Sequence, residues 1–550
     1  MTIPLFEAPP EFGEVFTRRW VVDLILDLCG YTTADDLTGL VVVDPSVGSG
    51  AFVAPIVERL LASRADTGSP WGDLTSCVRG WDLQPHHVDT CRKLTREQLL
   101  DAGCPPDTAD RLAIAWFQAG DFLLDAPADL RADVVVGNPP YIRIENLAPQ
   151  LLASYRAACP AMGGRADVFI GFYDKALDLL AEGGVLGFIC ADRWMHNDYG
   201  KRLRDKIVSG PYAMDAVVAM HDVDAFEADV SAYPAVTVIS RGPQRDAVVA
   251  SAGAGFGADA ARVLLDWLDT GEGRLHTRHV AASRMDDWYN TAASWPSGSP
   301  EVIAWLERLE ETLPPIEDAD TDTRIGIGVA TGADAVYVVR EPNLPDVESS
   351  RLLPLAHAAD MRTGTFTYSG YRLVSPWTED GLVDLADFPK LASYFNSHGE
   401  RLGGRNVAKR SGPAWFRTID RVNTRLLDAD MLVLGDMRKH ITPVRVPAGF
   451  YPHHNLYFVV SKKWDLDVLG GLLLADVIEA QVAAYCVKMR GGTLRFQAQY
   501  LRRVRIPAPD QIRATFAERF ADAFRTQNRK AADIAGRELF AELGVPAPEA

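Results

Sequence analysis

The chain has 550 residues, 47% hydrophobic and 24% charged, which leaves room for two to four domains with cores of their own and excludes a small stapled module or a disordered chain. The net charge of -18 hides a polarity, because residues 1–241 carry 34 acidic and 20 basic side chains while residues 401–505 carry 8 and 18. A polyanionic partner is therefore confined to the second stretch. No run of 18 apolar residues and no basic, apolar leader occurs, so neither a membrane span nor a signal peptide is expected and the predicted location is cytoplasmic. Seven cysteines (29, 77, 91, 104, 159, 190 and 486) form no C-x-x-C pair, which predicts small core residues and neither a disulfide framework nor a zinc site.

From Thr38 to Arg241, short apolar runs alternate with amphipathic stretches, the pattern of an α/β domain built on a parallel sheet. Strands are predicted at 40–44, 77–82, 113–117, 133–137 and 185–190, with a helix over 168–181 ending at Gly183-Gly184. The runs 216–220 and 235–240 follow without a long helix between them, which predicts an antiparallel pair at one sheet edge. After Gly242 the chain becomes irregular and rich in Gly, Pro and Asp, and 288–299 reads as a linker. Four segments are expected: 1–245, a connection at 246–299, a mixed α+β domain at 300–510, and a helical segment at 511–550.

The turn after the first strand is Asp44-Pro45-Ser46-Val47-Gly48-Ser49-Gly50, a Gly-rich loop leading into a helix, where main chain can approach a ligand. It is neither G-x-G-x-x-G nor G-x-x-x-x-G-K-[ST], so NAD and ATP are disfavoured. The second strand ends in Asp82, an acceptor for two ribose hydroxyls, and the third is followed by Asp121-Phe122, an acceptor for an adenine amino group beside a ring that covers a purine. Together Asp44, Pro45, Ser46, Gly48, Gly50, Asp82, Asp121 and Phe122 describe an adenosine pocket. The fourth strand runs into Asn138-Pro139-Pro140-Tyr141, a stiff turn that continues neither helix nor sheet. A planar exocyclic amine is a poor nucleophile until two acceptors grip its N–H bonds. The Asn138 side-chain oxygen and the Pro139 carbonyl can be those acceptors, and Tyr141 can stack on the base.

These motifs, in this order, resemble the gamma-class N6-adenine DNA methyltransferases that carry a TaqI-like specificity domain. Residues 13–17 (GEVFT) are similar to the family's N-terminal motif, DPSVGSGAF to its cofactor motif, and NPPY to its catalytic motif. Residues 167–172 and 184–194 resemble later catalytic-domain elements. The resemblance implies a class I methyltransferase (Rossmann-like) fold with a seven-stranded, mostly parallel sheet, and S-adenosyl-L-methionine as cofactor. It places Thr17 near the methionine end of that cofactor, although Arg18 stands where the family usually has Pro. It also places Phe226 on the face of an extruded adenine opposite Tyr141.

Residues 324–332 (RIGIGVATG) and 491–496 (GGTLRF), with Tyr500-Leu501 and Ile506-Pro507, resemble the family's target-recognition domain, the same C-terminal region that carries the basic block 401–505. Its cations include Arg405, Lys409 and Arg410 near Trp415-Phe416, and Arg495, Arg502 and Arg503 in a stretch without acidic residues, all candidates for DNA phosphate or base contacts. His86-His87 and His453-His454 lack a third ligand at a usable spacing, so no metal is expected. No nuclease domain is recognisable; the expected partners are double-stranded DNA and a separately encoded restriction endonuclease, and the expected state is a monomer. Two rival readings stand: a protein glutamine-amide methyltransferase, which shares NPPY, and a non-catalytic DNA-binding specificity subunit.

Overall fold

Burial on both faces turns the apolar runs of the first three hundred residues into one sheet. The computed structural model describes residues 15–548 except 229–232, 272, 287, 288, 290, 362, 363, 487 and 490–492. Gly13, Glu14, Trp288, Arg490 and the Gly491-Gly492 pair fall outside the described residues. The chain divides into two units, Met1–Ile303 and Ala304–Ala550.

The sheet of the first unit contains β1 (Val42–Asp44), β2 (Val78–Asp82), β3 (Phe117–Ala119), β4 (Ala132–Gly137), β5 (Leu180–Ala191), β6 (Tyr212–Ala219), β7 (Pro234–Arg241), β8 (Ala247–Ala252), β9 (Leu275–His276) and β10 (Val280–Met285). Their order is β3-β2-β1-β4-β5-β7-β6-β8-β10-β9. β1 to β5 pair in parallel, and β7 runs antiparallel to both β5 and β6, as the sequence pattern predicted. The sheet is mixed and ten-stranded, not seven-stranded. The extra strands come from 246–299, expected to be a mere connection: β8 pairs with β6, β10 with β8, and the helix Ala258–Thr270 buries Leu264 and Trp267. The β6–β7 pair is accordingly internal.

Two local expectations also fail. Residues 113–116 close the helix Pro106–Trp116, and only Phe117 begins a strand. Ala109, Leu112, Ala113 and Trp116 are buried while Ile114 is 61% exposed, a helical and not an alternating pattern. The helix Val168–Leu179 runs directly into β5, which includes Gly183-Gly184; glycine is needed at 184 inside the strand, where a Cβ would meet the Ala132 carbonyl at 2.7 Å.

The second unit holds three small sheets. The first orders β11 (Arg324–Ile327), β19 (Leu456–Val460), β15 (Met431–Gly435) and β17 (Val444–Val446), all antiparallel. The second orders β12 (Val338–Arg340), β14 (Tyr371–Val374), β13 (Leu352–Ala356) and β18 (Tyr451–Pro452), and the third β16 (Met437–Arg438), β21 (Thr493–Arg495) and β20 (Lys488–Met489). The apolar run from Val468 forms two helices, Leu466–Leu474 and Asp476–Tyr485, packed against the closing helices Ala514–Arg525 and Arg529–Glu542. Gly471 permits the approach, since a Cβ there would lie 2.0 Å from the Phe520 carbonyl. No single described helix is long and apolar enough to cross a membrane. All seven cysteines are buried.

Candidate active site

In the first unit the strand order reverses between β1 and β4, and a crevice opens beyond the ends of such strands. The loop after β1 enters it with Gly48 at φ 49° and Gly50 at φ 96°, conformations open to glycine at little cost. The loop is pinned from β2: the Val47 N–H donates to the Trp81 carbonyl (3.0 Å) and the Gly48 N–H to Asp82 Oδ2 (2.9 Å). A Cβ on Gly80 would stand 2.6 Å from Val47, so β2 needs glycine where the loop crosses it. The Ser46 hydroxyl donates to the Asn138 carbonyl (3.2 Å) and joins the loops after β1 and β4.

These loops wall an open pocket of about 1000 Å³, counting its mouth. Thr17, Pro45, Ser46, Gly48, Asp82, Asp121, Phe122 and the whole Asn138–Tyr141 turn line it. Asp44, Gly50 and Phe226 do not. Gly50 shapes the turn from behind. Asp44 is 2% exposed, its Oδ1 accepts from the Ser46 N–H (3.0 Å), and its Oδ2 is buried without a partner. Burial, reinforced by Asp82, pushes its carboxyl up to about 7 against the pull of the Ser46 hydrogen bond. Phe226, expected to face a target base, is 5% exposed within the hydrophobic core, where its ring gains more from burial than from facing the cavity. Its main chain pairs with Thr17.

The amide of Asn138 is oriented by its neighbours. Nδ2 donates to the Val15 carbonyl (2.9 Å) and to Thr17 Oγ1 (3.2 Å). A carbonyl can only accept, so the flipped amide is excluded and Oδ1 is left as a buried acceptor without a protein partner. No donor among the described residues reaches the Pro139 carbonyl either. Tyr141 is half-buried and lines the pocket, and its hydroxyl is fully enclosed beside Cys190. Burial holds that hydroxyl protonated far above the ordinary tyrosine range.

The acids are partly occupied. Asp82 also accepts from the Gln84 N–H (2.8 Å) and lies 3.3 Å from His87 Nδ1. Asp121 caps the helix Phe122–Asp125 by accepting from the Leu123 N–H, and its Oδ2 accepts from the Tyr155 hydroxyl at 2.7 Å. Burial raises the Asp121 carboxyl above its usual range. Asp82 Oδ2 and Asp121 Oδ2, each with one protein donor, keep a lone pair for a ligand. Phe122 is stacked against Phe172 at 5.6 Å. Val15 and Phe172 come from the segments 13–17 and 167–172 singled out by resemblance, whereas His87 and Tyr155 carry no recognisable motif and the sequence reading missed them as parts of the site. The set fits an adenosyl group: acids for hydroxyls and an amine, aromatic cover, and a glycine cradle.

In the second unit the basic block is unequal. Arg405, a predicted DNA contact, is a structural staple: its guanidinium donates to the carbonyls of Leu402, Thr331, Trp415 and Arg417 at 2.9–3.0 Å and to the Tyr337 hydroxyl at 3.2 Å. Arg502 is tied to Glu317 (2.8 Å) and to the Ile325 carbonyl (2.6 Å), and Arg495 to Asp436 (3.4 Å), so neither is a free cation. Arg503 lies over the Tyr485 ring at 4.9 Å. Lys409 and Arg410, in the last turn of the helix Asn406–Ser411, are exposed and have no ion pair among the described residues. The His453-His454 pair, expected to lack a third ligand, has Asp334 beside it.

The profile of the Eco57I restriction-modification methylase family matches residues 111–226, the segment that contains the Asn138 turn. Over 540 residues the chain is 39% identical to the type II methyltransferase M.XhoI of Xanthomonas vasicola, covering 97% of both chains. It is 40% identical to the type II methyltransferase M.PaeR7I of Pseudomonas aeruginosa over 92% of this chain and 88% of that one. Among solved structures, the type IIL restriction-modification enzyme MmeI in complex with DNA shares the fold, with a TM-score of 0.60 at 11% identity over 97% of this chain and 74% of that one. Identity of this order over almost the full length of the relatives means that the protein belongs to the type II DNA methyltransferases of restriction-modification systems.

Proposed function

We propose that the protein transfers a methyl group from S-adenosyl-L-methionine to N6 of an adenine rotated out of double-stranded DNA. The observation that carries this reading is the fixed Asn138 amide, which presents an unpartnered oxygen next to the open Pro139 carbonyl. Asp82 would accept from the ribose hydroxyls of the cofactor and Asp121 and Phe122 would hold its adenine ring, while Thr17 and Val15 keep the Asn138 amide turned. S-adenosylmethionine supplies an electrophilic methyl. Asn138 Oδ1 and the Pro139 carbonyl accept the two N–H bonds of the target amine and favour a pyramidal nitrogen with an available lone pair. The Tyr141 ring stacks on the extruded base, whose unstacking costs roughly a few kcal/mol. No side-chain nucleophile and no metal are required for direct displacement. Duplex DNA, with a separately encoded restriction endonuclease in the same system, completes this reading, with the protein acting as a cytoplasmic monomer.

The test is methylation of duplex DNA with radiolabelled cofactor followed by nucleoside analysis. N6-methyladenine is expected, and Asn138→Ala should lower the transfer rate by roughly a hundredfold or more while DNA still binds. Label in N4-methylcytosine or in protein glutamine would overturn the substrate assignment. Binding of DNA without any transfer by the wild type would establish a specificity subunit.

A further inference from the structure

Asp334 opens the short helix Asp334–Tyr337, and His453-His454 lie in the turn from β18 to β19, 119 residues further on between Asp334 and His453. His453 Nε2 is 3.2 Å from Asp334 Oδ2 and 3.1 Å from His454 Nδ1, and His454 Nδ1 is 3.8 Å from the same carboxylate oxygen. Three atoms so spaced share a point about 2.0 Å from each of them, the bond length of zinc to imidazole nitrogen and carboxylate oxygen. A hydrogen-bond account is poorer, because one proton on His453 Nε2 has two acceptors to serve and Asp334 and His454 gain nothing by converging on it.

The surroundings hold the ligand atoms in place. The other carboxylate oxygen, Asp334 Oδ1, accepts from the Thr331 hydroxyl at 2.5 Å, which fixes the carboxylate plane. His453 is 3% exposed, and its backbone N–H donates to the Ala356 carbonyl (3.0 Å), which fixes the main chain that carries the ring. Gly328 lets the 324–332 segment pass close by, since a Cβ there would stand 2.1 Å from the His453 carbonyl. His454 and Asp334 are 37% and 45% exposed, giving an entry path and a fourth position for water.

We propose that His453, His454 and Asp334 bind one divalent transition-metal ion, zinc by ligand type, which ties the segment leading into Asp334 to the β18–β19 turn. The bound ion has no part in methyl transfer and stabilises the second unit by mass action.

The full chain, purified without a polyhistidine tag and stripped with a chelator, is titrated with Zn2+ by calorimetry and with Co2+ by visible absorption. One equivalent should bind with a Kd of about 1 µM or tighter, with the visible band of four-coordinate Co2+, and the thermal midpoint should rise with Zn2+. His454→Ala and Asp334→Asn, on partly exposed side chains, should each weaken Zn2+ binding by at least about tenfold and abolish the midpoint shift. If one of them fails to fold, the other decides. No saturable binding by the wild type up to about 0.1 mM Zn2+, or wild-type affinity in a folded variant, overturns the site. These readouts do not depend on methyl transfer, so they stand or fall separately from the proposed reaction.

Discussion

Asp44 offers a quantitative test of how the site is built, because its carboxyl moves from 3.8 to about 7 on burial. A carboxyl raised in the folded state binds its proton more tightly there than in the unfolded chain. Its contribution to stability is therefore fully present below the unfolded value and is lost as pH rises through about 7. In Asp44→Asn, the Ser46 N–H keeps its acceptor and the titrating charge is gone. Relative to the wild type, the variant should gain roughly 2 to 3 kcal/mol between about pH 5 and about pH 8, superimposed on a constant offset from the new amide. That corresponds to roughly 3 to 5 °C in the midpoint of the transition that unfolds the first unit. Differential scanning calorimetry of both proteins across that range, without cofactor, measures it. Other titrating groups, including Asp121, are common to both chains and cancel in the difference. A wild-type-minus-variant difference that did not change with pH would show that Asp44 is ionised and solvated, and would refute the picture of a buried carboxyl behind the cofactor loop.

The parts of the site that were legible from sequence are those whose geometry is local. Asp44 to Gly50 and Asn138 to Tyr141 carry their own turn chemistry, and the order of strands brings both to the β1–β4 crevice. What was not legible depends on partners far away along the chain. The orientation of Asn138 comes from Thr17, 121 residues earlier, and the third ligand candidate beside His453 lies 119 residues away. The strands after Asp246 were missed because β8 and β10 are defined by pairing and not by strong alternation. Charge counting found the basic block, but a count does not distinguish Arg405, whose guanidinium is enclosed by carbonyls, from Lys409, which meets solvent. The expected strand at 113–117 shows the converse, a signal that was present in the helical spacing of Leu112, Ala113 and Trp116 and was outweighed by the apolar run.

Thr17 separates two roles by kinetics: Thr17→Val keeps its volume but removes the Oγ1 acceptor for Asn138, so kcat should fall about three- to tenfold with the cofactor Kd within about twofold. A weakened Kd with unchanged kcat would instead return Thr17 to the cofactor contact expected from sequence. The two classes of cation in the second unit predict opposite signatures. Lys409→Ala with Arg410→Ala removes two exposed charges without touching a hydrogen bond, so DNA affinity should fall and the salt slope flatten by up to about two units, while the thermal midpoint is unchanged. Arg405→Ala strands the carbonyls of Leu402, Thr331, Trp415 and Arg417 in partly buried positions, and should cost about 2 to 4 kcal/mol of stability. Because its guanidinium already has those acceptors, the salt slope of the folded Arg405→Ala protein should change by less than about half a unit. Salt titrations of DNA binding, run beside thermal melts on the same preparations, read both quantities. A slope change in Arg405→Ala as large as in the double variant would mean that its guanidinium leaves the carbonyl cage to meet phosphate, and that the cage is not the state that binds DNA.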